Sequence, residues 1–497
     1  MYKIFRGFPL VEAYQDLKKA KRLAESQAVA RCIKLVIAIT ISLTLWLLPT
    51  EAFGISNLTI IEQRLISIFI FATLMWVFEA VPAWTTSVLI VVLLLLTVSD
   101  SSLWLFVQGI PTEELGQTVK YKSIMHCFAD PIIMLFIGGF ILAIAATKSN
   151  LDVLLARVML KPFGTQSRYV LLGFILVTAV FSMFLSNTAT AAMMLTFLTP
   201  VLKVLPADGK GKTGLAMAIP VAANIGGMGT PIGTPPNAIA LKYLNDPEGL
   251  NLNIGFGEWM GFMLPYTMIV LFIAWFILLK LFPFKQKSIE LQIEGEAKRD
   301  WRSIVVYITF AITVLLWMFD KFTGVNSNVV AMIPVAVFCI TGVITKRDLE
   351  EISWSVLWMV AGGFALGVAL QETGLAKHMI ESIPFNTWPP VLMIIGSGLI
   401  CYTMANFISH TATAALLVPI LAIAGSSMRE NLSALGGVET LLIGVAIGSS
   451  LAMILPISTP PNALAHATGM IQQKDMEKVG IITVSYTHLT LPTTERV

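Results

Sequence analysis

The sequence predicts an all-α polytopic membrane protein made of two inverted repeats, each carrying a re-entrant hairpin and a broken helix. Three observations predict it. Hydrophobic residues make up 56% of the chain and charged residues only 13%, against ~25% charged in a soluble domain. Small-polar motifs occur twice in one order. Ser186-Asn187-Thr188-Ala189-Thr190 returns as Ser409-His410-Thr411-Ala412-Thr413 at an offset of 223, and Thr234-Pro235-Pro236-Asn237 returns as Thr459-Pro460-Pro461-Asn462 at 225. Gly138-Gly139-Phe140 likewise answers to Gly362-Gly363-Phe364 at 224. Finally, prolines and glycines break apolar runs next to these motifs, which a continuous helix does not tolerate.

Residues 1–34 are basic and not apolar enough for a cleaved signal peptide. They read as a cytosolic segment in which Val11–Ala30 suits an amphipathic helix lying on the membrane. The first repeat, 35–282, opens with apolar runs at 35–48, 63–80, 85–98 and 131–149. Each is close to, or somewhat short of, the ~20 residues that cross a bilayer. A longer polar stretch, Asp100–Asp130, lies among them.

The hairpin is expected at 168–205. Arg168 and Lys203 bracket two apolar arms, and Ser186-Asn187-Thr188 sits between them. Both ends then face one side, with the polar tip at depth, where only protein or a water-filled cavity can surround it. The broken helix is expected at 214–244, interrupted by Gly229-Thr230-Pro231-Ile232-Gly233-Thr234-Pro235-Pro236. A span at 259–282 closes the repeat, and the charged stretch 283–302 reads as a cytosolic linker.

The second repeat, 303–484, follows the same order. Spans at 303–319, 328–345 and 355–373 lead to a hairpin at 388–424 and a broken helix at 439–471 interrupted at Pro456–Pro461. A last span begins near Gly480. Residues 485–497 turn too polar to finish a crossing and are read as a non-native tail. With the N-terminus inside, the basic residues gather in 1–34, 148–168, 203–213, 280–302, 346–347 and 474–478. Only Arg64, Lys120, Lys122, Lys242, Lys321, Lys377, Arg429 and Arg496 fall on the other side. That asymmetry satisfies the positive-inside rule. It opens the first hairpin to the cytosol and the second to the outside, so the repeats are inverted.

Inverted repeats with broken helices are the pattern of secondary transporters. Half-helix N-termini present unpaired N–H groups to an anion. Freed carbonyls and Ser or Thr hydroxyls are hard oxygen ligands suited to Na⁺. Neither motif cluster contains Arg or Lys, so a doubly charged anion needs co-bound cations as well as helix dipoles. Sodium ions are therefore the expected co-transported species. The plainer readings are polar glue between packed helices for the Ser-Asn-Thr clusters and a simple kink for each Thr-Pro-Pro-Asn. Recurrence of both motifs at one spacing favours a lined site.

Other residues point elsewhere or nowhere. Cys32, Cys127, Cys339 and Cys401 are far apart and read as packing residues. Glu79 near a membrane interface reads as structural, although an intramembrane carboxylate is a functional suspect. His126, His378 and His466 read as isolated, and the paired glycines as sites of close helix packing. No nucleophile, base or metal cluster at membrane depth suggests an enzyme, and no organic cofactor or nucleic-acid partner is expected. A channel is the alternative of another class; two hairpins ending in one shared site favour occlusion over an open pore.

The hairpin-tip motifs and Thr-Pro-Pro-Asn breaks, with Phe78-Glu79-Ala80-Val81-Pro82, resemble the divalent anion:sodium symporter family over about 35–484. The resemblance implies a homodimer in the inner membrane, each protomer with about eleven transmembrane helices and two re-entrant hairpins, working as an elevator. It implies import of succinate, fumarate, malate and related C4-dicarboxylates, with citrate or sulfate taken by some members. Carried over, the first sodium site uses Ser182, Ser186, Asn187 and Gly233. Substrate meets Ser186, Asn187, Thr188 and Thr234 on one side, and Ser409, Thr411 and Thr459 on the other, with Pro235 and Pro460 lining the cavity. The second sodium site falls to Ser458, His410 and the backbone at Ala405 and Ile408. His410 stands where the family has Asn, and Ala405 where it often has Thr. His410 is then a substrate contact beside an altered cation site, a substitute for Asn, or a neutral spacer. A sulfate carrier and a sodium-independent dicarboxylate carrier, proton-coupled or exchanging, stay open.

Overall fold

Backbone groups facing lipid have no water to bond, so a spanning chain must close its hydrogen bonds within helices. The computed structural model describes residues 9–55, 57–205, 210–247, 249–289, 298–376, 378, 387–456 and 458–490. They form helices joined by turns and by longer connections, the longest being 98–130 with short helices at Thr112–Leu115 and Tyr121–His126, and only isolated β-bridges link extended segments.

The first half comprises α1 (Pro9–Leu47), α2 (Ile60–Phe78), α3 (Ala83–Thr97), α4 (Pro131–Lys148), α5 (Leu151–Leu160), α6 (Ser167–Phe184), α7 (Asn187–Val204), α8 (Lys210–Gly227), α9 (Pro235–Leu244) and α10 (Phe256–Leu281). The second comprises α11 (Trp301–Met318), α12 (Ser327–Ile340, with a turn at Ala331), α13 (Trp354–Glu372), α14 (Pro390–Ala405), α15 (His410–Ser427), α16 (Gly437–Ser450), α17 (Pro460–Ala467) and α18 (Gln473–Thr490). Among the described residues eight helices are long and apolar enough to cross a membrane, and three shorter apolar ones accompany them.

Their packing is that of a protein solvated by lipid. On α11 the exposed stripe is Ile304, Ile308, Ile312 and Leu315, while Ser303, Thr309 and Thr313 are buried. In water that helix would be inside out; in a bilayer apolar groups face outward and hydroxyls find partners within. Thr313 does so by donating to the Thr309 carbonyl at 2.7 Å.

Several expectations change. The N-terminal segment and first span are one unbroken helix, α1, in place of a surface helix followed by a separate span at 35–48. The side chains of 9–27 lie outside the described residues, as do residues 1–8. The basic stretch 148–168 contains α5, whose ten residues are too few to span. His378 is not isolated: its Nδ1 lies 2.8 Å from the buried carboxylate of Glu62. Glu62 also closes the capping box with Thr59 that starts α2. α18 runs on through 485–490, the start of the stretch expected to be a non-native tail; 491–497 lie outside the described residues. Glu79 fits its structural reading, exposed and ending α2 in a left-handed conformation at φ 48°.

The described part of the linker is tied to the first hairpin. Ser167 N–H donates to the Lys287 carbonyl at 3.0 Å and Ile289 N–H to Thr165 at 2.7 Å; residues 290–297 lie outside the described residues. The segments assigned to one face by their basic residues meet in space. Lys148 pairs with Asp348 at 2.7 Å, and Lys298 donates to the Lys148 carbonyl at 2.7 Å. Burial alone would raise the Asp348 carboxyl. The Lys148 ammonium and Thr345 hydroxyl outweigh it and hold it below the usual carboxylate range.

The two halves exchange partners. α3 packs on α13, and its counterpart α12 packs on α4. The paired glycines allow both contacts. A Cβ at Gly138 would collide with the Ala331 backbone of α12, and one at Gly362 would sit 2.5 Å from Ser87 Cβ on α3. Gly139 differs, since a Cβ there would meet only Ile232 Cδ1 at 3.5 Å. Gly138→Ala and Gly362→Ala are therefore expected to cost about 1–3 kcal/mol through overpacking, and Gly139→Ala little. Thermal unfolding of the purified variants in detergent checks this. Equal melting temperatures for Gly138→Ala and Gly139→Ala would contradict it.

Candidate functional site

Each hairpin turns where a serine stops one helix and caps the next. Ser186 accepts from Ala189 N–H at 3.2 Å to begin α7, and Ser409 from Ala412 N–H at 3.1 Å to begin α15. Asn187 and His410 occupy the first helical position of their arms. Thr234 and Thr459 likewise stand at the N-caps of α9 and α17, where the following prolines lack the donor that a first turn leaves unused. Four helix N-termini thus begin at the motifs, two more than the proline breaks alone imply.

The breaks are held open by asparagines. Asn237 Nδ2 donates to the carbonyls of Gly227, Met228 and Thr230 at 3.1, 3.2 and 2.8 Å. Asn462 Nδ2 donates to Met453 and Leu455, the matching positions, at 2.9 and 3.1 Å. The carbonyl matching Gly227 is that of Ala452, and there the partner is His410 Nε2 at 2.8 Å. A carbonyl can only accept, so Nε2 carries the proton in this contact. His410 therefore takes over a backbone carbonyl that Asn237 satisfies in the first half.

Around each break the residues gather into a cluster. In the first, Ser182 Oγ lies 2.5 Å from Asn187 Oδ1 and 2.7 Å from the Ala223 carbonyl. One hydroxyl proton serves two acceptors, so lone pairs are in excess, which suits a hard cation. Asn187 also approaches Gly227, where a side chain would collide with it, and Gly233 packs against the Gly227 backbone. Thr230 donates to the Met183 carbonyl and accepts from Gly233 N–H at 3.1 Å. In the second cluster Ser458 Oγ lies 3.1 and 3.2 Å from Asn406 O and Oδ1. Asn406 Oδ1 accepts from Ile454 N–H at 2.9 Å.

The structure thus brings Ser182, Asn187 and Gly233 together in one cluster, and Ser458 and His410 at the other break. Ala405 and Ile408 are buried beside Asn406. Thr188 and Pro460 are exposed, Ser186 and Pro235 half-buried, and Thr234, Thr411 and Thr459 buried. Thr188, Thr234 and Thr411 make no side-chain hydrogen bond among the described residues. The sequence reading gave no role to Asn224, Thr230 or Asn406, nor to the motif asparagines Asn237 and Asn462. Recurrence could have singled out Asn237 and Asn462. Asn224 and Asn406 have Ser449 and Met183 at the matching positions, so only a polar residue inside an apolar run marks them. Among the described residues no group of His, Cys, Asp and Glu could hold a metal ion.

A cavity of about 660 Å³ opens away from the tips, between the end of α9, the start of α4 and the loop before α12. Lys242 and Asp130 pair across it at 2.7 Å, and the ammonium stands 3.7 Å from the centre of the Phe364 ring. Lys242 is the cation closest in sequence to either break, and Asp130 neutralises it. Volume alone therefore does not mark the candidate site; the motif clusters carry its chemistry.

A family model described as CitMHS, citrate transporter, matches residues 73–435. An uncharacterized transporter of Haemophilus influenzae is 34% identical over 384 residues, covering 73% of this chain and 80% of that protein. The sodium-dependent dicarboxylate transporter SdcS of Staphylococcus aureus is 30% identical over 445 residues, covering 82% and 80%. The solved YdaH transporter of Alcanivorax borkumensis superposes with a TM-score of 0.54 at 13% identity, covering 82% of this chain and 96% of that one. That likeness is one of fold.

Removing either asparagine amide orphans buried carbonyls, at about 1–3 kcal/mol each. Asn237→Leu and Asn462→Leu are expected to lower the melting temperature in detergent by several degrees, with Asn237→Leu the more damaging because it serves three carbonyls. A variant as stable as the parent would show that the breaks do not depend on these amides.

Proposed function

This chain belongs to the divalent anion:sodium symporter type of transporter family, and from that premise we propose that it imports C4-dicarboxylates such as succinate, fumarate and malate together with sodium ions. It is a transporter and not an enzyme. The observation that carries the proposal is the oxygen-rich cluster where Ser182, Asn187 and the Ala223 carbonyl converge beside Gly227 and Gly233. Such a cluster has lone pairs to spare and no formal charge, which suits Na⁺. The second cation then takes Ser458, His410 and the backbone near Ala405 and Ile408.

The substrate's carboxylates meet the Ser186, Asn187, Thr188 and Thr234 side of the cavity and the Ser409, His410, Thr411 and Thr459 side, with Pro235 and Pro460 lining it. Helix N-termini supply the donors, and the cations supply the charge that the missing arginines and lysines do not. The repeats are inverted in this reading. Two contacts support it: the reciprocal packing of α9 on α15 and α16 and of α17 on α7 and α8, and the bond from Thr213 at the start of α8 to Met470 beyond α17. The protein works in the cell membrane with its N-terminus in the cytoplasm, as a homodimer whose hairpins and broken helices move as one elevator body.

Radiolabelled succinate uptake into proteoliposomes tests the reading, with an inward Na⁺ gradient or choline in its place. Uptake that requires Na⁺ and is competed by fumarate but not sulfate is expected. No succinate uptake under either condition overturns the substrate assignment and favours sulfate. Uptake indifferent to Na⁺ but stimulated by internal succinate overturns the coupling and points to exchange.

Ser182→Ala is expected to raise the Na⁺ concentration for half-maximal uptake about tenfold, since it removes one cation ligand. His410→Asn restores the family residue and is expected to lower that concentration about threefold. Na⁺ titration of uptake from pH 6 to pH 8 reads both. A curve unchanged by His410→Asn removes His410 from the cation site.

A further inference from the structure

One hydrogen-bond chain crosses from the first half of the molecule into the second, and its polarity can be assigned without ambiguity. It starts at the second break, where Asn462 faces the Met453 and Leu455 carbonyls at 2.9 and 3.1 Å. Carbonyls only accept, so the Asn462 amide nitrogen must point at them and Oδ1 must point away. Facing that Oδ1 at 3.3 Å is the side chain of Asn224, on α8 of the other half. Oδ1 can only accept, so Asn224 presents Nδ2 there. The second hydrogen of that Nδ2 goes to Thr459 Oγ at 3.3 Å.

Thr459 Oγ therefore accepts twice, from Asn224 Nδ2 and from Asn462 N–H at 3.2 Å. A hydroxyl has two acceptor positions and one proton. With both acceptor positions filled, the hydroxyl interacts further only by donating, and neither of its two bonds uses the proton. Asn224 and Thr459 are 1% and 4% exposed, so solvent does not compete for the arrangement. Thr234, the counterpart, has no such constraint. Its hydroxyl caps nothing, and the residue matching Asn224 is Ser449, whose shorter side chain makes no bond to Thr234 or Asn237 among the described residues.

We infer that Asn224 is a positioning residue for substrate specificity: it fixes the Thr459 hydroxyl as an obligate donor aimed at an anionic oxygen. The inference rests on the proposed dicarboxylate transport and adds to it a specific division of labour. Thr459 discriminates for a carboxylate oxygen, whereas Thr234 can turn to donate or accept. Asn224 reaches the substrate only through Thr459.

The test is a double-substitution cycle in proteoliposomes, reading KM and Vmax for succinate and the Na⁺ activation curve. Asn224→Asp keeps the shape but offers acceptors, so Thr459 donates to it and not to substrate. Its KM is expected to rise about tenfold, with Vmax changed less than twofold. Asn224→Ser, which adds no charge, is expected to raise KM in the same direction by a smaller factor. On a Thr459→Val background Asn224→Ser should add nothing further, because the group it positions is gone. Losses that multiply on that background, or a fall in Vmax with KM unchanged, overturn the inference. Melting temperatures of the purified variants identify any that fail to fold, and the Asn224→Ser cycle then decides. A parent protein that takes up no dicarboxylate overturns the functional reading itself, an outcome distinct from any of these.

Discussion

The structure depends on satisfying backbone carbonyls that a broken helix leaves open in the protein interior. In water such groups would be solvated; in hydrocarbon each orphan costs several kcal/mol. Asn237 and Asn462 are the answer in the two halves, each reaching back across the break to carbonyls seven to ten residues earlier. Because those amides absorb the inner carbonyls, the chain can begin a second half-helix at a Thr-Pro-Pro cap. That places capped N-termini close to a hairpin tip. The candidate site is thus a consequence of how the break is repaired.

The reciprocal packing extends the same logic to the whole molecule. A half-helix that ends inside the protein cannot bury all its surface against its own half of the chain, so α9 lies on α15 and α16, and α17 on α7 and α8. The exchange of α3 with α13 and α12 with α4 repeats the pattern at the periphery, permitted by Gly138 and Gly362. Each candidate cluster is built within one half, and Asn224 bonds across from the first half to Thr459 and Asn462 of the second. Equivalent positions are nevertheless not equal: Ala452 takes its bond from His410, where Gly227 takes one from Asn237. This relieves Asn462 of one carbonyl, and its Oδ1 receives Asn224 from the other half.

What could be read from the chain beforehand follows from what the halves share. Ser186 and Ser409, Thr234 and Thr459, and the proline pairs recur, and so the helix stops before Asn187, Pro235, His410 and Pro460 are legible in the chain. Residues that break the symmetry were not. Asn224 and Asn406 correspond to Ser449 and Met183, and a search by recurrence passes over them. The Glu62–His378 pair joins residues more than three hundred positions apart, a contact that no local pattern encodes. The expected division of α1 into a surface helix and a span follows from the different solvent preferences of its polar and apolar stretches. Helix propensity does not share that preference, and the backbone runs straight through.

Electrostatics ties these features to the proposed cargo. The only lysine within a few residues of a break, Lys242, is matched by Asp130 and stacked on Phe364. No fixed cation is therefore left over in the motif clusters for a dianion. Capped helix N-termini contribute partial charges, worth up to about 2 kcal/mol each when partly buried. Desolvating each carboxylate costs several kcal/mol after relaxation. At the more usual value of roughly 0.3–1 kcal/mol per terminus, the dipoles alone leave part of that cost unmet. A mobile cation beside the Ser182–Asn187 oxygens would close the gap, and it would be held more tightly when the anion is present, since coupling between two sites is reciprocal. A site without fixed positive charge makes cation and anion depend on each other for occupancy. That mutual dependence would let a sodium gradient drive the anion, whereas a resident arginine would bind the anion whether or not sodium had arrived.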